Sequence, residues 1–306
     1  MSNKVLEING LRKSFGTNAV LRGLDLQVQA GHTHALLGRN GAGKSTTLHI
    51  LMGLIQRDAG NVSVLGMDPN VVPLEIRRSV GFLAEDQQMF GWMTIDEMLS
   101  FMQPFYPTWD MALAHDFVRQ FDLQPTQRIG TLSKGQNVRL GLVLALAHRP
   151  TLVILDDPAL GLDPIVRREF NRDLITHLQG QGAAVLYSSH LLYEVEPIAD
   201  IVSILKDGVI CRQDTPEHLR DDVKQLVLSS EVFAQHRESL RVLDSQRFGQ
   251  EFAVTVTHFA EACERLNAEG TKFQVNELRL DDIFAAYVAG KIDLPSDTAP
   301  SLTAAR

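Results

Sequence analysis

The chain contains one short stretch whose residue types and spacing are typical of a phosphate-binding loop. Residues Gly38 to Thr46 fit the pattern G-x-x-x-x-G-K-[ST], with Lys44 and Ser45 near its end. Glycines allow such a loop to bend sharply, so that several backbone N–H groups point at one anion. The lysine can place its charge on the β- and γ-phosphates of a nucleotide, and the serine hydroxyl can bind Mg²⁺. We therefore predict nucleotide contacts from the whole loop: Gly38, Arg39, Asn40, Gly41, Ala42, Gly43, Lys44, Ser45 and Thr46.

Two carboxylates and a histidine follow apolar runs later in the chain. Asp156 and Asp157 come directly after 152–155, four apolar residues that indicate a buried parallel strand. A second apolar run, 183–187, is followed closely by His190. Because ligands of open α/β sheets bind at the carboxyl ends of the strands, we expect these three side chains at one edge of the sheet. There Asp156 can hold Mg²⁺, and Asp157 can act as general base for a water molecule.

The elements around these residues predict an α/β fold. A strand over about 32–37 precedes the loop and a helix over about 45–54 follows it, which is the context that the loop requires. The patterns of 4–15 and 24–28 predict two paired strands. Phe15 ends the first of these strands. Its ring can stack on a base there, and an ordinary core aromatic fits the sequence equally well.

A helical period replaces the strand pattern between about 93 and 148. Apolar residues recur at helical spacing from 93 to about 120, and their methionine and aromatic stripe fits a core face or a partner-docking face. Leu132-Ser133-Lys134-Gly135-Gln136 then opens an amphipathic helix. Ser133 is placed as its N-cap, and Gly135 leaves its backbone N–H open to an incoming anion.

Composition narrows the function classes. The chain has 306 residues, of which 44% are hydrophobic and 22% charged, as in ordinary soluble globular proteins. The net charge of −8 argues against a nucleic-acid partner. The two cysteines, Cys211 and Cys263, lie far apart and are expected to be free thiols. Because no apolar run approaches the roughly 20 residues that span a bilayer, a membrane role would need a separate subunit.

Taken in order and spacing, these stretches resemble the ATP-binding subunit of an ABC transporter. The resemblance covers about residues 3–220 and is closest to exporter-type ATPases that are encoded apart from their membrane subunits. It implies ATP and Mg²⁺ as cofactors. It also implies an α/β fold of the P-loop NTPase class, with a RecA-like core, an antiparallel β subdomain and a helical subdomain over about 86–150.

The resemblance gives each matching residue an expected role. Phe15 matches the aromatic that stacks on adenine, and the loop from Gly38 to Thr46 matches the Walker A motif. Asp156 matches the Walker B aspartate, and His190 the switch histidine. The signature segment, which in the family binds the γ-phosphate held by the opposite subunit, is matched by Ser133, Lys134, Gly135 and Gln136. The D-loop is matched by Gly161, Leu162 and Asp163.

Three positions depart from the family pattern. Glu85 stands where a glutamine is usual, and its carboxylate can still coordinate Mg²⁺ and act in catalysis. Lys134 replaces a glycine and brings a cation beside phosphate. Asp157 replaces the usual catalytic glutamate and reaches about 1 Å less far, which could cost roughly 10²-fold in rate. A shifted backbone could restore that distance, so slow and normal hydrolysis both remain open at this point.

The chain after residue 220 predicts a smaller domain. We place the ATP-binding cassette at 1–220 and a βαβ-like α+β domain at 221–290, which resembles the accessory domain of such exporter ATPases. The segment 291–306 is rich in Pro, Ser, Thr and Ala and predicts a flexible tail. No chemistry is apparent in this part of the sequence.

The resulting hypothesis is an ATPase that powers export of a substrate through separate integral membrane permease subunits. Two such chains, identical or different, would close head to tail on ATP, and the helical region would carry the motion to the permease. The protein would then lie on the cytoplasmic face of the cell membrane. Two alternatives are a regulatory subunit that binds ATP with little hydrolysis, and a soluble ABC ATPase outside transport.

The loop assignment makes a direct prediction. Lys44→Ala should abolish tight MgATP binding, because it removes the charge expected at the β- and γ-phosphates. Equilibrium binding of ATP in the presence of Mg²⁺ measures this. Unchanged affinity in the variant would contradict the phosphate-loop assignment.

Overall fold

The computed structural model describes residues 4–160, 162–163, 166–167, 169–170 and 182–293. The chain divides into two compact units, Met1–Asp214 and Thr215–Arg306. The division falls before the predicted boundary between 220 and 221. The reason is that a short helix at 216–222 packs on later helices of the second unit.

An antiparallel sheet forms one part of the first unit. Its strands are β1 (Lys4–Phe15), β2 (Asn18–Gln29) and β4 (Ala59–Val64). They are hydrogen-bonded in the order β2-β1-β4, and both pairs are antiparallel. Buried and exposed positions alternate along β2, because one face of this sheet lies on the hydrophobic core. This sheet is the predicted antiparallel β subdomain.

A mainly parallel sheet carries the second set of strands. They are β3 (Thr33–Gly38), β5 (Val80–Leu83), β6 (Leu152–Asp156), β7 (Ala184–Ser189), β8 (Ile201–Lys206) and β9 (Val209–Asp214). Their order is β5-β6-β7-β3-β8-β9, and every neighbouring pair is parallel except the β8–β9 hairpin. Strands β3, β6 and β7 are buried along their whole length, which explains their near-continuous apolar sequences.

Helices flank the strands of this unit. They are α1 (Lys44–Leu51), α2 (Pro73–Ser79), α3 (Ile95–Met102), α4 (Met111–Gln120), α5 (Lys134–Leu146) and α6 (Leu192–Val195). Three of them form the predicted helical subdomain, and each begins at a side-chain cap. Thr94 and Ser133 make full capping boxes at α3 and α5, and Asp110 accepts from Leu113 N at α4. Such caps satisfy backbone donors that a helix start leaves unpaired.

The second unit contains another antiparallel sheet. Its strands are β10 (Lys224–Ser229), β11 (Arg241–Phe248), β12 (Glu251–Thr257) and β13 (Gln274–Asn276), in the order β11-β12-β10-β13. Its helices are α7 (Pro216–Asp222), α8 (Ser230–His236), α9 (Phe259–Ala268) and α10 (Leu280–Ala289). A core of aliphatic and aromatic residues packs on one face of the sheet.

Every hydrogen-bonded pair among these four strands is antiparallel. Strands β12 and β13 both run antiparallel to β10, which lies between them, so they are parallel to each other and are joined by α9, a split form of the expected βαβ arrangement. The strand β11, absent from the sequence prediction, forms a hairpin with β12 through Gly249, whose φ is +65°. The predicted flexible tail also begins too early. Lys291 N donates to Asp244 Oδ1 at 2.8 Å, and Ile292 bridges to Ser245, while 294–306 lie outside the described residues.

Among the residues described, no helix combines the length and the apolar character needed to cross a bilayer.

Candidate functional site

A cavity of about 500 Å³ opens beside the loop that follows β3. It is lined by Phe15, Asn18, Val20, Asn40, Gly41, Gly43, Lys44, Ser45, Thr46, Glu85, Asp156, Asp157 and Leu160. The loop is thus joined by residues from β1, β2, β6 and the segment after β5. Three predicted loop residues, Gly38, Arg39 and Ala42, are not among the lining residues. The Arg39 carbonyl accepts a hydrogen bond from Ala42 N at 3.1 Å, which stabilises the turn of the loop.

The loop glycines adopt the geometry that was expected of them. Gly41 and Gly43 have φ values of +82° and +111°, a region that side chains other than glycine rarely adopt. A Cβ atom on Gly43 would also lie 2.7 Å from Leu21 Cδ2, so a larger residue would have to displace that side chain. Since α1 begins at the next residue, its positive end faces the cavity together with the loop N–H groups. The arrangement can bind an anion with several negative oxygens.

Lys44 is held almost entirely inside the protein. Its side chain is 7% exposed, and Nζ donates to the carbonyl of Gly38 at 2.9 Å. Burial lowers the pKa of this lysine, and the nearby carboxylates of Asp157, Asp156 and Glu85 act in the opposite direction. The lysine therefore lies among three acidic side chains at the base of the cavity.

Asp156 lies at the end of β6 with one carboxylate oxygen fully engaged. Its Oδ1 accepts from Ser188 Oγ at 2.7 Å and from Ser45 Oγ at 3.3 Å. The side chain is 2% exposed and lines the cavity. The structure thus brings together Ser45 and Asp156, which are 111 residues apart in the chain. Both were predicted to hold Mg²⁺.

Asp157 occupies a strained backbone position beside His190. Its φ is +43°, which is uncommon for a residue other than glycine. Oδ2 lies 2.6 Å from His190 Nδ1, and the backbone N donates to both the carbonyl and the hydroxyl of Ser188 at 3.1 Å. Asp157 is 5% exposed, and its Oδ1 is buried without a hydrogen-bond partner in the described part of the chain. A buried carboxylate oxygen of this kind is available for a water molecule or a cation.

Glu85 follows β5 and lines the same cavity. Burial raises the pKa of Glu85, and Asp156, Asp157 and Asp86 raise it further. Mutual repulsion among these carboxylates would fall if a cation were bound between them. The predicted catalytic residues Asp157, His190 and Glu85 therefore lie near each other, although no hydrogen bond joins Glu85 to the other two in the described residues.

The donor set of the cavity fits Mg²⁺ held together with phosphate. Magnesium prefers oxygen ligands and is usually bound by one or two side chains together with substrate phosphates and waters. Ser45 and Asp156 supply such oxygens, and the unpartnered Asp157 Oδ1 and Glu85 lie beside them. Over the ranges that the structure describes, no three His, Cys, Asp or Glu side chains form a metal cluster on their own. A cation here would depend on ligands from a bound nucleotide.

Phe15 is not a core residue. Its side chain is 49% exposed and lines the cavity at the end of β1. Lys13 Nζ lies 5.3 Å from the centroid of the Phe15 ring. The ring is thus free to stack on a planar group that enters the cavity.

The signature segment lies at a different cavity. Ser133, Lys134, Gly135 and Gln136 line a space of about 220 Å³ together with Arg139, Leu162, Asp163 and Val166. Ser133 caps α5 by accepting from Gln136 N at 3.2 Å. A Cβ atom on Gly135 would lie 2.9 Å from Val166 Cγ1, so the segment packs tightly there. Of the predicted D-loop, Gly161 lies outside the described residues.

Sequence reasoning missed several residues at the site. Asn18, Val20 and Leu160 line the main cavity, and Ser188 bonds to both Asp156 and Asp157. The one available signal for Ser188 was its position at the end of the strand that carries His190. Nothing in the sequence showed which carboxylate it would face.

Comparison with known proteins agrees with this geometry. A family model described as "ABC transporter" matches residues 21–160. The uncharacterized ABC transporter ATP-binding protein YdbJ of Bacillus subtilis is 33% identical over 213 residues, which cover 69% of each chain. The bacitracin transport ATP-binding protein BcrA of Bacillus licheniformis is 30% identical over 218 residues, covering 71% of each chain.

A solved structure shows the same fold. The ATP-binding cassette MJ0796, described as dimeric in a post-hydrolysis state bound to ADP and phosphate, superposes with a TM-score of 0.62 at 21% identity. The likeness covers 69% of this chain and 98% of that one. The predicted P-loop cassette fold is confirmed.

The chain belongs to the ATP-binding proteins of ABC transporters. Cassettes of this family bind ATP, generally hydrolyse it, form dimers and work with membrane permease subunits.

Proposed function

We propose that this chain hydrolyses ATP to drive export of a substrate through a separate membrane permease. One observation carries the proposal: Lys44, Ser45, Asp156, Asp157 and Glu85 meet at one cavity. A lysine, a hydroxyl and clustered carboxylates beneath an anion-binding loop are the groups that phosphoryl transfer requires. They bind and orient the nucleotide phosphates and supply a base for water.

The residues divide into binding and chemical roles. The loop from Gly38 to Thr46 holds the phosphates, and Phe15 stacks on the adenine. Ser45 and Asp156, with Glu85, would hold Mg²⁺, which would supply positive charge beside the phosphates. The cavity lining and the hydrogen bond between Ser45 and Asp156 support these roles.

Asp157 is the proposed general base, and His190 is the residue that orients it. The contact of 2.6 Å between His190 Nδ1 and Asp157 Oδ2 fixes one oxygen and leaves Oδ1 for a water molecule. Asp157 is shorter than the family glutamate, and its backbone has an unusual conformation, with φ at +43°. The buried, unpartnered Oδ1 in the cavity beside the phosphate-binding loop supports hydrolysis over a purely regulatory role.

Dimerisation completes the site. In a single chain the signature residues Ser133 to Gln136 line their own cavity, and none of them lines the one beside Lys44. We infer that a second chain, paired head to tail, brings its α5 N-terminus to the γ-phosphate. The N–H groups of that helix end and the Lys134 ammonium favour the anion.

An exposed aromatic patch supports a partner at the helical subdomain. Phe90, Trp92, Phe101 and Phe105 are 40–67% exposed, and their rings contact one another at centroid distances of 5.5–6.0 Å. Contiguous apolar surface of this kind marks an interaction site. Because the patch starts a few residues after Glu85, a permease docked there would lie close to the segment that reaches the cavity. The bacitracin transport relative supports the transport role.

The base assignment is tested by Asp157→Asn. This variant keeps the shape of the side chain and removes its basicity, so it should bind MgATP within a few-fold of wild type and hydrolyse it roughly 10²-fold more slowly or worse. Steady-state and single-turnover phosphate release measure this. Asp157→Glu is the matched control, since it keeps a carboxylate and should hydrolyse ATP about 10-fold faster than the asparagine variant.

Two outcomes would contradict the assignment. Wild-type turnover in Asp157→Asn would eliminate Asp157 as the base. Absence of turnover in the unmodified chain would favour the regulatory alternative.

The composite site is tested by Ser133→Arg in the Asp157→Asn background. The arginine places bulk where the partner's γ-phosphate docks, so nucleotide binding by the monomer should persist while MgATP-dependent dimers disappear. Analytical ultracentrifugation with and without MgATP detects the dimer. Ser229→Arg is the control, because Ser229 is also an exposed N-cap serine but belongs to α8 of the second unit. Dimers in Ser133→Arg at the wild-type level would refute the role in the partner's site.

The docking surface is tested by placing a photo-crosslinking amino acid at Trp92 in the native host. We expect a crosslinked product that stays with the membranes after an alkaline wash. Phe248, an aromatic residue of the second unit that is 62% exposed, is the matched control position and should give no such product. Failure at Trp92, or equal labelling at both positions, would contradict the assignment of the patch.

A further inference from the structure

A single buried hydroxyl is hydrogen-bonded to both aspartates at the end of β6, to the carboxylate of Asp156 and to the backbone N–H of Asp157. Ser188 Oγ donates to Asp156 Oδ1 at 2.7 Å and accepts from Asp157 N at 3.1 Å, and Ser188 is fully buried. No other side chain in the described ranges is hydrogen-bonded to both aspartates. Ser188 thus links two consecutive residues to which the proposed function gives different tasks.

The directions of these hydrogen bonds are fixed by chemistry. A backbone N–H can only donate, so the Ser188 oxygen must be its acceptor. The hydroxyl has one hydrogen, which is therefore left for the Asp156 carboxylate. The hydroxyl therefore acts as a donor to Asp156 and as an acceptor from Asp157 N. A side chain without a hydroxyl can provide neither hydrogen bond.

Strand register places Ser188 where it can do this. In the parallel pair of β6 and β7, Asp156 lies directly opposite Ser188, and Asp157 follows at the end of β6. The serine holds Asp156 Oδ1, while Oδ2 makes no hydrogen bond within the described residues. Asp157 N donates to the carbonyl as well as to the hydroxyl of Ser188, at 3.1 Å each, so the hydroxyl is a second acceptor for this positive-φ residue.

We propose that Ser188 is the positioning residue that orients the Asp156 carboxylate toward the magnesium of bound MgATP and fixes the backbone of Asp157. The inference rests on the proposed function and adds to it a residue that touches neither nucleotide nor metal. Residues that orient metal ligands through hydrogen bonds typically change metal affinity or activity by about 10- to 100-fold when removed.

The test compares ATP binding with and without Mg²⁺ in Ser188→Ala. In wild type, Mg²⁺ should tighten ATP binding. In Ser188→Ala the affinity for ATP in EDTA should stay within about 2-fold of wild type, while the tightening by Mg²⁺ should fall by about 10-fold. Isothermal titration calorimetry gives both constants. A purely structural role would weaken the two affinities equally, so their ratio separates positioning from packing.

Two further variants make the experiment decisive. Ser203→Ala removes another fully buried serine from the neighbouring part of the same sheet, where its hydroxyl bonds to His34 and Gln213 and not to the carboxylates, and it should leave the Mg²⁺ effect intact. Ser188→Cys fills the buried space with a slightly larger side chain and a weaker donor, so it covers the case in which the alanine variant does not fold. It should show the same loss of the Mg²⁺ effect to a smaller degree.

The outcomes are distinguishable. An undiminished Mg²⁺ effect in folded Ser188→Ala and Ser188→Cys overturns the positioning role alone. Absence of any Mg²⁺ effect in the wild-type chain overturns the magnesium site of the proposed function itself.

Discussion

Parallel pairing of β3, β6 and β7 brings three chemically different strand ends to one edge of the sheet. β3 runs into the phosphate-binding loop, β6 ends at Asp156, and β7 ends one residue before His190. Backbone hydrogen bonds set the register, with Asp156 opposite Ser188 and Leu37 opposite Ser189. A slip of one residue would turn every side chain of a strand to the other face. The distances among Ser45, Asp156 and His190 therefore depend on this pairing.

Buried charge is the second constraint on the site. Lys44, Asp156 and Asp157 are each less than one-tenth exposed, and isolated ions in such positions would be unstable. Here the charges compensate one another, since the carboxylates counteract the effect of burial on the Lys44 pKa. The compensation is incomplete, because Asp157 Oδ1 has no partner in the described chain. Under the proposed function, a magnesium nucleotide with its waters supplies the missing partners.

The placement of the signature residues gives a physical reason for a pair of chains. Ser133 is a well-formed helix cap with both hydrogen bonds of a capping box, so the α5 N-terminus is already formed within a single chain. Its cavity and the Lys44 cavity share no lining residue. The α5 N-terminus therefore lies apart from the cavity in which the same chain is proposed to hold ATP. This separation is consistent with the proposal that α5 contacts the nucleotide of a second chain.

Much of this protein could be read from local sequence. The geometry of the phosphate-binding loop follows from Gly41, Gly43 and Lys44. The two glycines permit positive φ angles, and the lysine lies next to them in the chain. The start of α5 follows from the spacing of Ser133 and Gln136, and the buried strands follow from their apolar runs. These features depend on neighbours along the chain, and the sequence is sufficient for them.

Other features depend on residues that are distant in sequence. The hydroxyl of Ser188 faces Asp156 through strand register, and the two residues are 32 positions apart. The sequence was equally compatible with Phe15 as a core residue and as a stacking residue. In the structure its side chain is exposed, because open space lies beside the end of β1. Strand β11 and its hairpin with β12 were absent from the sequence prediction because β11 has few buried positions and so gives little periodic signal. Local sequence patterns show which residues are apolar and which permit a turn. Which strands pair, and which side chains face each other, depends on the packing of the whole chain.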